Sequence, residues 1–428
     1  MERYNEIEGK WIQGPSIHYG EDDEFYYQDH PNTLLKRSLT IESMKQAIFH
    51  IGCLGYYILY INGKRVGNDE LNNDWTHFGQ CIYYETYDVT EYLQIGHNDI
   101  VIELGNGMYN PAPLRLFGKY NLREKLHEIG QPQIICDLII DDNIVLKSDE
   151  SWNYCFGNLL FNNLYLGEKI DFNRCDKSIY PVNVYDKKRK LVPSFIPKIK
   201  KFQTIKPVIR KVFKSGVFVD FGEMISGFIS IDIDGKKEQK IILQYSENFK
   251  EKEMDYSTVL AGSVGEEING MTIPGGKGCP QYAIQTDIII CKEGFNHFEN
   301  KFTYHSFRYL YIEGCQIEDI KDVQAIYVHT DLKQIGNVKT DNEFLNRLYD
   351  VATRTKLNNT HSTFEDCARE RLGYGGDMVA LAVSNLYVFD LESFYKKIIM
   401  DFRFHQTKAG GIPETAPYIG IQSNGTGE

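Results

Sequence analysis

The apolar residues of this chain change their spacing once, near residue 340, from every second position to a repeat of 3.6. Period 2 places alternate side chains on one face of a strand, and period 3.6 places them on one face of a helix, so a strand-built part must be followed by a helical part. Before the switch, from about residue 34 to 330, strand signals follow one another. "GYYILYING" (55–63) alternates and then breaks at Asn62-Gly63, a pair suited to a two-residue turn with positive φ at both positions. "CIYYETYDVTEYL" (81–93) is expected to pair with that hairpin, and "NDIVIELGNGMY" (98–109) to supply another strand. "VFVDFGEMISGFISIDIDGKKEQKIILQYSE" (217–247) repeats the style, with Asp234-Gly235 as a second tight turn, and "FTYHSFRYLYIEG" (302–314) alternates along its length. Strands at this spacing without helical crossovers predict antiparallel β-sandwiches and argue against a parallel α/β sheet. The stretch 176–210 gathers four prolines and local basic charge, which places a join near residue 190.

After the switch, "TDNEFLNRLYDVATRTK" opens with Thr340 and Glu343 in capping-box spacing and sets Phe344, Leu345, Leu348 and Ala352 on one helical face. "GDMVALAVSNLYVF" (376–389) is apolar on nearly every side, as a helix enclosed by other helices is. "LESFYKKIIMDFRFHQTK" (391–408) is amphipathic and stops before Gly410-Gly411. Three helices without a covering layer predict an all-α domain that is entered and not finished, with an apolar flank left open on "MVALAVSNLYVF". The reading is therefore a multidomain chain: a first β-sandwich over 1–190, a second over 191–333, and a helical part over 334–428.

Composition narrows the function classes. Lys plus Arg number 47 against 59 Asp plus Glu, a net charge of -12 with no long basic run, which repels a phosphate backbone and argues against a nucleic-acid partner. The start, "MERYNEIEGKWIQG", lacks the apolar core of a signal peptide, and stretches such as "IICDLII" (134–140) are too short for a bilayer, so no membrane partner and a cytoplasmic location are expected. Nine cysteines form no CxxC pair and no zinc spacing; free, mostly buried thiols are expected. The 29 Tyr and 24 Phe fit β-sandwich cores or sugar-facing platforms, and Asp74-Trp75-Thr76 carries the same two readings. "GGKGCP" (275–280) lacks the spacing of a phosphate loop, no HExxH or calcium loop occurs, and no cofactor or metal is implied. His305 and His361 read as structural residues. Asn358-Asn359-Thr360 and Asn424-Gly425-Thr426 fit a glycosylation pattern that, without a secretory signal, carries no meaning.

The densest charge lies in "FEDCARERLGYGGDM" (364–378), between the first two helices. A loop at the end of a helical scaffold is a place where catalytic groups are held. Its carboxylates suit the acid/base work of glycoside hydrolysis, in which one acid protonates the leaving oxygen and a second carboxylate handles water or sugar. Glu370 stands between Arg369 and Arg371, cations that favour its ionised form, so a proton donor there needs burial or an opposing carboxylate such as Asp366 or Asp377. The competing reading is a solvated ion-pair cluster.

The loop resembles the signature of the bacterial α-L-rhamnosidases, inverting glycoside hydrolases, through Asp366-Cys367, Arg369-Glu370-Arg371-Leu372-Gly373-Tyr374 and Gly376-Asp377. Residues 54–109 resemble that family's N-terminal β domain, 217–231 and 302–314 its following β domain, and "GNVKTDNEFLNRLY" (336–349) the entry to its (α/α)6 barrel. The resemblance implies Glu370 as general acid, with Asp366 and Asp377 holding rhamnose hydroxyls and setting the protonation of Glu370. It implies Tyr374 in place of the family's Trp as the ring that packs on the deoxysugar. Glu365 and Asp366 stand five and four residues before Glu370, which leaves open which of them meets the sugar, and Ala368 replaces the family's Pro. Glu365, Arg369 and Tyr374 are thus the candidate substrate-binding residues. The family's general base lies in a later barrel loop, expected beyond Glu428; Glu414 in "GGIPETAP" is not marked as that base. The implied partner is a rhamnose-containing glycoside and the implied activity is inverting release of terminal α-L-rhamnose, absent from these 428 residues alone. The alternative is a carbohydrate-binding β-sandwich protein without turnover.

Overall fold

The computed structural model describes residues 7–420 apart from 22, 117–119, 261–266, 269–270, 273–283 and 368. The "GGKGCP" loop, Ala368 and the Asn424 sequon lie wholly or largely outside the described residues. Strands dominate up to Ile320–Thr330, and the helices are α1 (Leu122–Lys125), α2 (Glu343–Asn358), α3 (Gly375–Leu386) and α4 (Glu392–Phe404).

Two sheets, of seven and six strands, build the first sandwich. Phe49, Ile51, Ile134 and Leu138 of the first meet Leu35, Leu59, Ile100 and Ile102 of the second in one core, each at most 2% exposed. The alternation read from the sequence is the consequence of this packing: one face of each strand meets the other sheet. Asn62 (φ 52°) and Gly63 (φ 74°) form the expected turn, with Ile61 opposite Lys64. The expected pairing of 81–93 with that hairpin is corrected. Ile82–Asp88 pairs with Ala47–Leu54, while Tyr56–Ile61 pairs with Gly96–Gly105. The cause is Gly55, at φ 103°, where an added Cβ would stand 2.7 Å from the Gly105 carbonyl; the chain turns there from one sheet into the other. Alternation records which face is buried and does not record the neighbour.

The second β unit is an eleven-stranded sheet organised on one long strand, Gly216–Gly235. Its first half pairs with His305–Glu313 and its second with Gly294–Glu299, with a register shift between Asp220 and Ile225. Val217 and Val219 from the first half and Ile229, Ile231 and Ile233 from the second fall in one buried cluster, so the sheet folds over its own core. The tight turn expected at Asp234-Gly235 lies further on, at Lys236–Gln239, with Glu238 at φ 63°. Gly235 is still paired, opposite Gly294, and is needed because a Cβ would fall 2.5 Å from that of Cys291. The sheets are antiparallel except that Lys169–Asp171 runs parallel to Ile288–Ile290 and Leu191–Pro193 parallel to Ile82–Tyr84. The hairpin Leu159–Asn163/Gly167–Asp171 thus belongs to the second sheet although it precedes the join, and Tyr180–Pro181, Asn183–Tyr185 and Leu191–Pro193 return to the first sandwich.

In the helical part the cap of α2 is Asn342, not Thr340: Asn342 Oδ1 accepts from Phe344 N (2.9 Å) and Leu345 N (3.2 Å), while Thr340 Oγ1 is taken by Asn342 and Asn346. The α4 helix ends at Phe404, earlier than expected, and a turn from Thr407 to Gly411 follows. As expected, Val379, Val383 and Leu386 of α3 are open to solvent, and so are Phe344, Leu345 and Leu348 of α2. The segment is anchored to the first sandwich through α4. Lys397 Nζ lies 2.7 Å from Asp401 Oδ2, both fully buried, and Thr76 Oγ1 donates to Asp401 Oδ1 at 2.6 Å. Trp75, 7% exposed, sits in the β core, which decides its two readings in favour of packing.

Candidate active site

The 364–378 loop begins on a two-residue ladder, Thr360–His361 with Thr363–Phe364, that follows α2, and it runs into the first turn of α3. Two backbone bonds close it: Asp366 N donates to Leu372 O (3.0 Å) and Arg371 N to Cys367 O (2.8 Å). This closure brings Asp366, Cys367 and Glu370 together. Cys367 Sγ donates to Asp366 Oδ2 at 3.1 Å, Arg369 Nη2 to Glu370 Oε1 at 2.9 Å, and Tyr374 Oη to Glu370 Oε2 at 3.1 Å. Burial, and then the Glu370 carboxylate beside it, push Asp366 up to about 7. A carboxylate beside a buried carboxyl disfavours its ionisation, so Asp366 keeps its proton to higher pH than a free aspartate. Burial and Asp366 push the Cys367 thiol up to about 12. Among the described residues Asp366, Cys367 and Glu370 are the one set of ligand-type groups close enough to share an ion, with donor atoms within 4.8 Å, yet such an ion would face a thiol that resists deprotonation.

The other candidates fall elsewhere. Glu365 is buried and turned away from the pair, its Oε1 accepting from Tyr304 Oη at 2.6 Å and its Oε2 lying 3.4 Å from His361 Nδ1. Asp377 is exposed on the first turn of α3. The glycines do not act as tight turns: none of Gly373, Gly375 and Gly376 has positive φ, and the left-handed residue is Arg371, at φ 58°. Gly373 is required for close approach, since a Cβ would lie 2.5 Å from the Ala416 carbonyl. Beyond Tyr374 opens a pocket of about 790 Å³, lined among others by Asp377, Phe402, Arg403, Ile412 and Glu414. Tyr374 is therefore shared by the pocket and the acid pair.

Sequence reading missed several neighbours. Tyr165 Oη donates to the Glu370 carbonyl at 3.0 Å. Tyr304 stacks on His361 at 4.0 Å between ring centroids and lies under the Arg371 guanidinium, also at 4.0 Å. Glu247, which accepts from Ser306 Oγ at 2.5 Å, is held up by burial with Arg369 as its opposing cation. These residues come from β strands and turns far from the motif and carry no spacing signal of their own. His361 and His305 are buried in hydrogen-bonded settings, His305 between Gln285 and Asp287.

Three family models match in order: the alpha-L-rhamnosidase N-terminal domain over 42–201, the bacterial alpha-L-rhamnosidase concanavalin-like domain over 210–329, and the bacterial alpha-L-rhamnosidase 6 hairpin glycosidase domain over 333–428. An alpha-L-rhamnosidase of Formosa agariphila is 30% identical over 395 residues, which are 87% of this chain and 40% of that protein. One of Streptomyces avermitilis is 25% identical over 90% of this chain and 37% of the relative. The chain thus spans about two fifths of the length of these relatives. Among solved structures, an alpha-L-rhamnosidase of Dictyoglomus thermophilum superposes with a TM-score of 0.80 at 26% identity, over 97% of this chain and 46% of that one. The Streptomyces avermitilis enzyme complexed with L-rhamnose shares the fold, with a TM-score of 0.79 at 21% identity over 92% of this chain and 38% of that one. No helix among the described residues is long and apolar enough to cross a membrane. With all three domain models matched in sequence order, the chain belongs to the bacterial α-L-rhamnosidase family.

Proposed function

We propose that this chain carries the acid side of a glycoside hydrolase site that releases terminal α-L-rhamnose from a rhamnose-containing glycoside with inversion. The observation that carries the reading is the meeting of the Asp366 and Glu370 carboxyl groups, with Asp366 raised to about 7 by burial and then by Glu370, beside Tyr374 at the edge of an open pocket. Glu370 is the general acid that gives the proton to the leaving oxygen. Asp366, rather than the inward-turned Glu365, is its partner in holding the proton and in meeting sugar hydroxyls. Arg369 fixes the Glu370 carboxylate, Tyr374 packs on the deoxysugar, and Asp377 meets hydroxyls from the pocket wall. The neighbouring fold that is known with L-rhamnose bound supports this choice of sugar. The division into a first β unit over 1–190, a second over 191–333 and a helical part over 334–428 belongs to the same proposal; the first family match runs on to residue 201, past the proposed join.

An inverting mechanism needs a second carboxylate about 6.5 to 9.5 Å from the acid to activate water. We assign that base to a later loop of the glycosidase domain, so residues 1–428 alone bind sugar without turnover. The test is Glu370→Gln in a chain carrying the whole glycosidase domain, assayed on a natural rhamnoside and on an activated aryl rhamnoside. The expected loss on the natural glycoside is at least ~10²-fold, with a smaller loss where the leaving group needs no proton. Full activity of Glu370→Gln on the natural glycoside defeats the assignment. Rhamnose binding by the longer chain with no turnover on either substrate supports the second reading, a carbohydrate-binding protein, which the open pocket beside Tyr374 also fits.

A further inference from the structure

The turn of the hairpin Leu159–Asn163/Gly167–Asp171 is a feature that hydrolytic chemistry leaves unused, and it reaches the acid loop from a distant part of the chain. The turn is shaped from within. Asn163 Oδ1 accepts from Tyr165 N (2.8 Å) and Leu166 N (3.1 Å), an Asx turn. Gly167 stands at φ 106°, with its backbone so near the Thr286 carbonyl that an added Cβ would lie 2.2 Å away, and Thr286 N donates to Leu166 O at 2.8 Å. The tip is thereby fixed to the sheet before it meets anything else.

Two groups of this tip then touch the loop. Tyr165 Oη donates to the carbonyl of Glu370 at 3.0 Å. The Leu164 carbonyl accepts from Arg371 Nη1, and also from Thr303 Oγ1 at 3.2 Å. Arg371 Nη2 donates to the Tyr304 carbonyl at 2.6 Å, and its guanidinium lies 4.0 Å from the Tyr304 ring centroid and 5.7 Å from that of Tyr165. Tyr165 is fully buried and Arg371 is 4% exposed. An arginine with positive φ is a conformation held only where its surroundings over-determine it, and here two carbonyls and two aromatic rings do so.

We propose that the hairpin tip 164–166, acting chiefly through Tyr165, is a positioning element for Glu370: the β layer sets the backbone on which the acid stands. A buried hydrogen bond to that one carbonyl has no water to replace it, so its loss frees the loop locally. The carboxyl pair depends on a fixed separation, and a freed loop lets the two groups part. The consequence for catalysis rests on the reading of Glu370 as the acid; the positioning itself does not, and its test uses no turnover.

The experiment compares the 428-residue chain with Tyr165→Phe by hydrogen exchange and by carbon-13 NMR titration of labelled aspartate carboxyls. In Tyr165→Phe the amides of Asp366 and Arg371 are expected to lose protection by about tenfold or more, while the strand amides around Ile229 and Leu310 keep theirs. The Asp366 midpoint is expected to fall by about one unit as the pair separates. Arg371→Lys, which keeps the charge without the fork, is expected to act in the same direction and decides the matter if Tyr165→Phe does not fold. Unchanged loop protection, or a loss spread evenly over loop and strands, overturns the proposal, and so does an unmoved Asp366 midpoint in a variant whose loop exchange has risen.

Discussion

Ile229, Ile231 and Ile233 of the long strand are at most 1% exposed, whereas Val379, Val383 and Leu386 of α3 are 70%, 68% and 53% exposed. Both sets are apolar residues repeated at the period of their own element. The β layers close on themselves, since each sheet meets another layer or its own folded-over half. The helices are amphipathic toward two sides: Phe394 and Ile398 of α4 join Val388, Phe389 and Leu332 in a small core, and the opposite faces of α2 and α3 meet no other part of the described chain. Local periodicity thus tells that a face is apolar, and only the layer above it tells whether the face is buried. An open apolar face of this kind is a surface prone to association.

The comparison is broken most directly by deleting a core ring. Phe307, fully buried between the halves of the second sheet, is expected to cost ~3–5 kcal/mol on Phe307→Ala, read from denaturant unfolding. A cost no larger than that of a surface change would mean that the β layers are not the stable half.

A smaller effect tests the seam between the halves. The His77 ring of the first sandwich lies against that of His127 and that of His405 after α4, with centroids 4.1 Å and 4.5 Å away and the planes tilted by 51° and 30°. Burial, then His127, lowers His77 to about 4, with Glu128 opposing; burial, then His77 and His127, lowers His405 to about 3. Glu128 is itself held to about 2 by Arg189 and Lys187, and so remains a fixed anion beside the rings. The unfolded chain takes up these protons near 6.5, before the folded chain does, so the stabilisation is present above pH 6.5 and is lost as pH falls toward 4. Asp366, about 7, and Glu168, raised to about 8 by burial and then by Asp287, act with the opposite sign, favouring the folded chain as pH falls. The difference between the parent and His405→Phe isolates the seam: the parent's melting temperature, relative to the variant's, should drop between pH 6.5 and 4. A constant difference would show that the rings do not link pH to docking.

The smallest effect is expected where the helical face is open. Val383→Ser should shift unfolding by no more than ~0.5 kcal/mol while reducing self-association measured by light scattering. A loss comparable to that of Phe307→Ala would mean that this face is covered in solution.

The acid loop shows how far the linear pattern reaches. Asp366, Arg369, Glu370 and Tyr374 were legible because they lie within nine positions and one closed loop gathers them. Glu365 and Asp366 were not separable, because adjacent residues point to opposite sides and only the packing of Tyr304 and His361 shows which side is the interior. Asp377 was expected beside the acid, yet a helix begins at Gly375 and carries it to the exposed wall of the pocket. The three glycines pointed to a tight turn. The strain sits instead on Arg371, whose two carbonyl partners are 67 and 207 positions away.

By itself the sequence determined the order of strands and helices, the Asn62-Gly63 turn, the apolar faces and the carboxylate loop, because each depends on side chains a few positions apart. The tertiary structure decided which strands are neighbours, that a hairpin from before the expected domain join belongs to the second sheet, and that its Tyr165 holds the carbonyl of Glu370. Those choices turn on close approach at Gly55, Gly167 and Gly235 and on buried donors meeting distant carbonyls, which are contacts between residues with no regular separation along the chain.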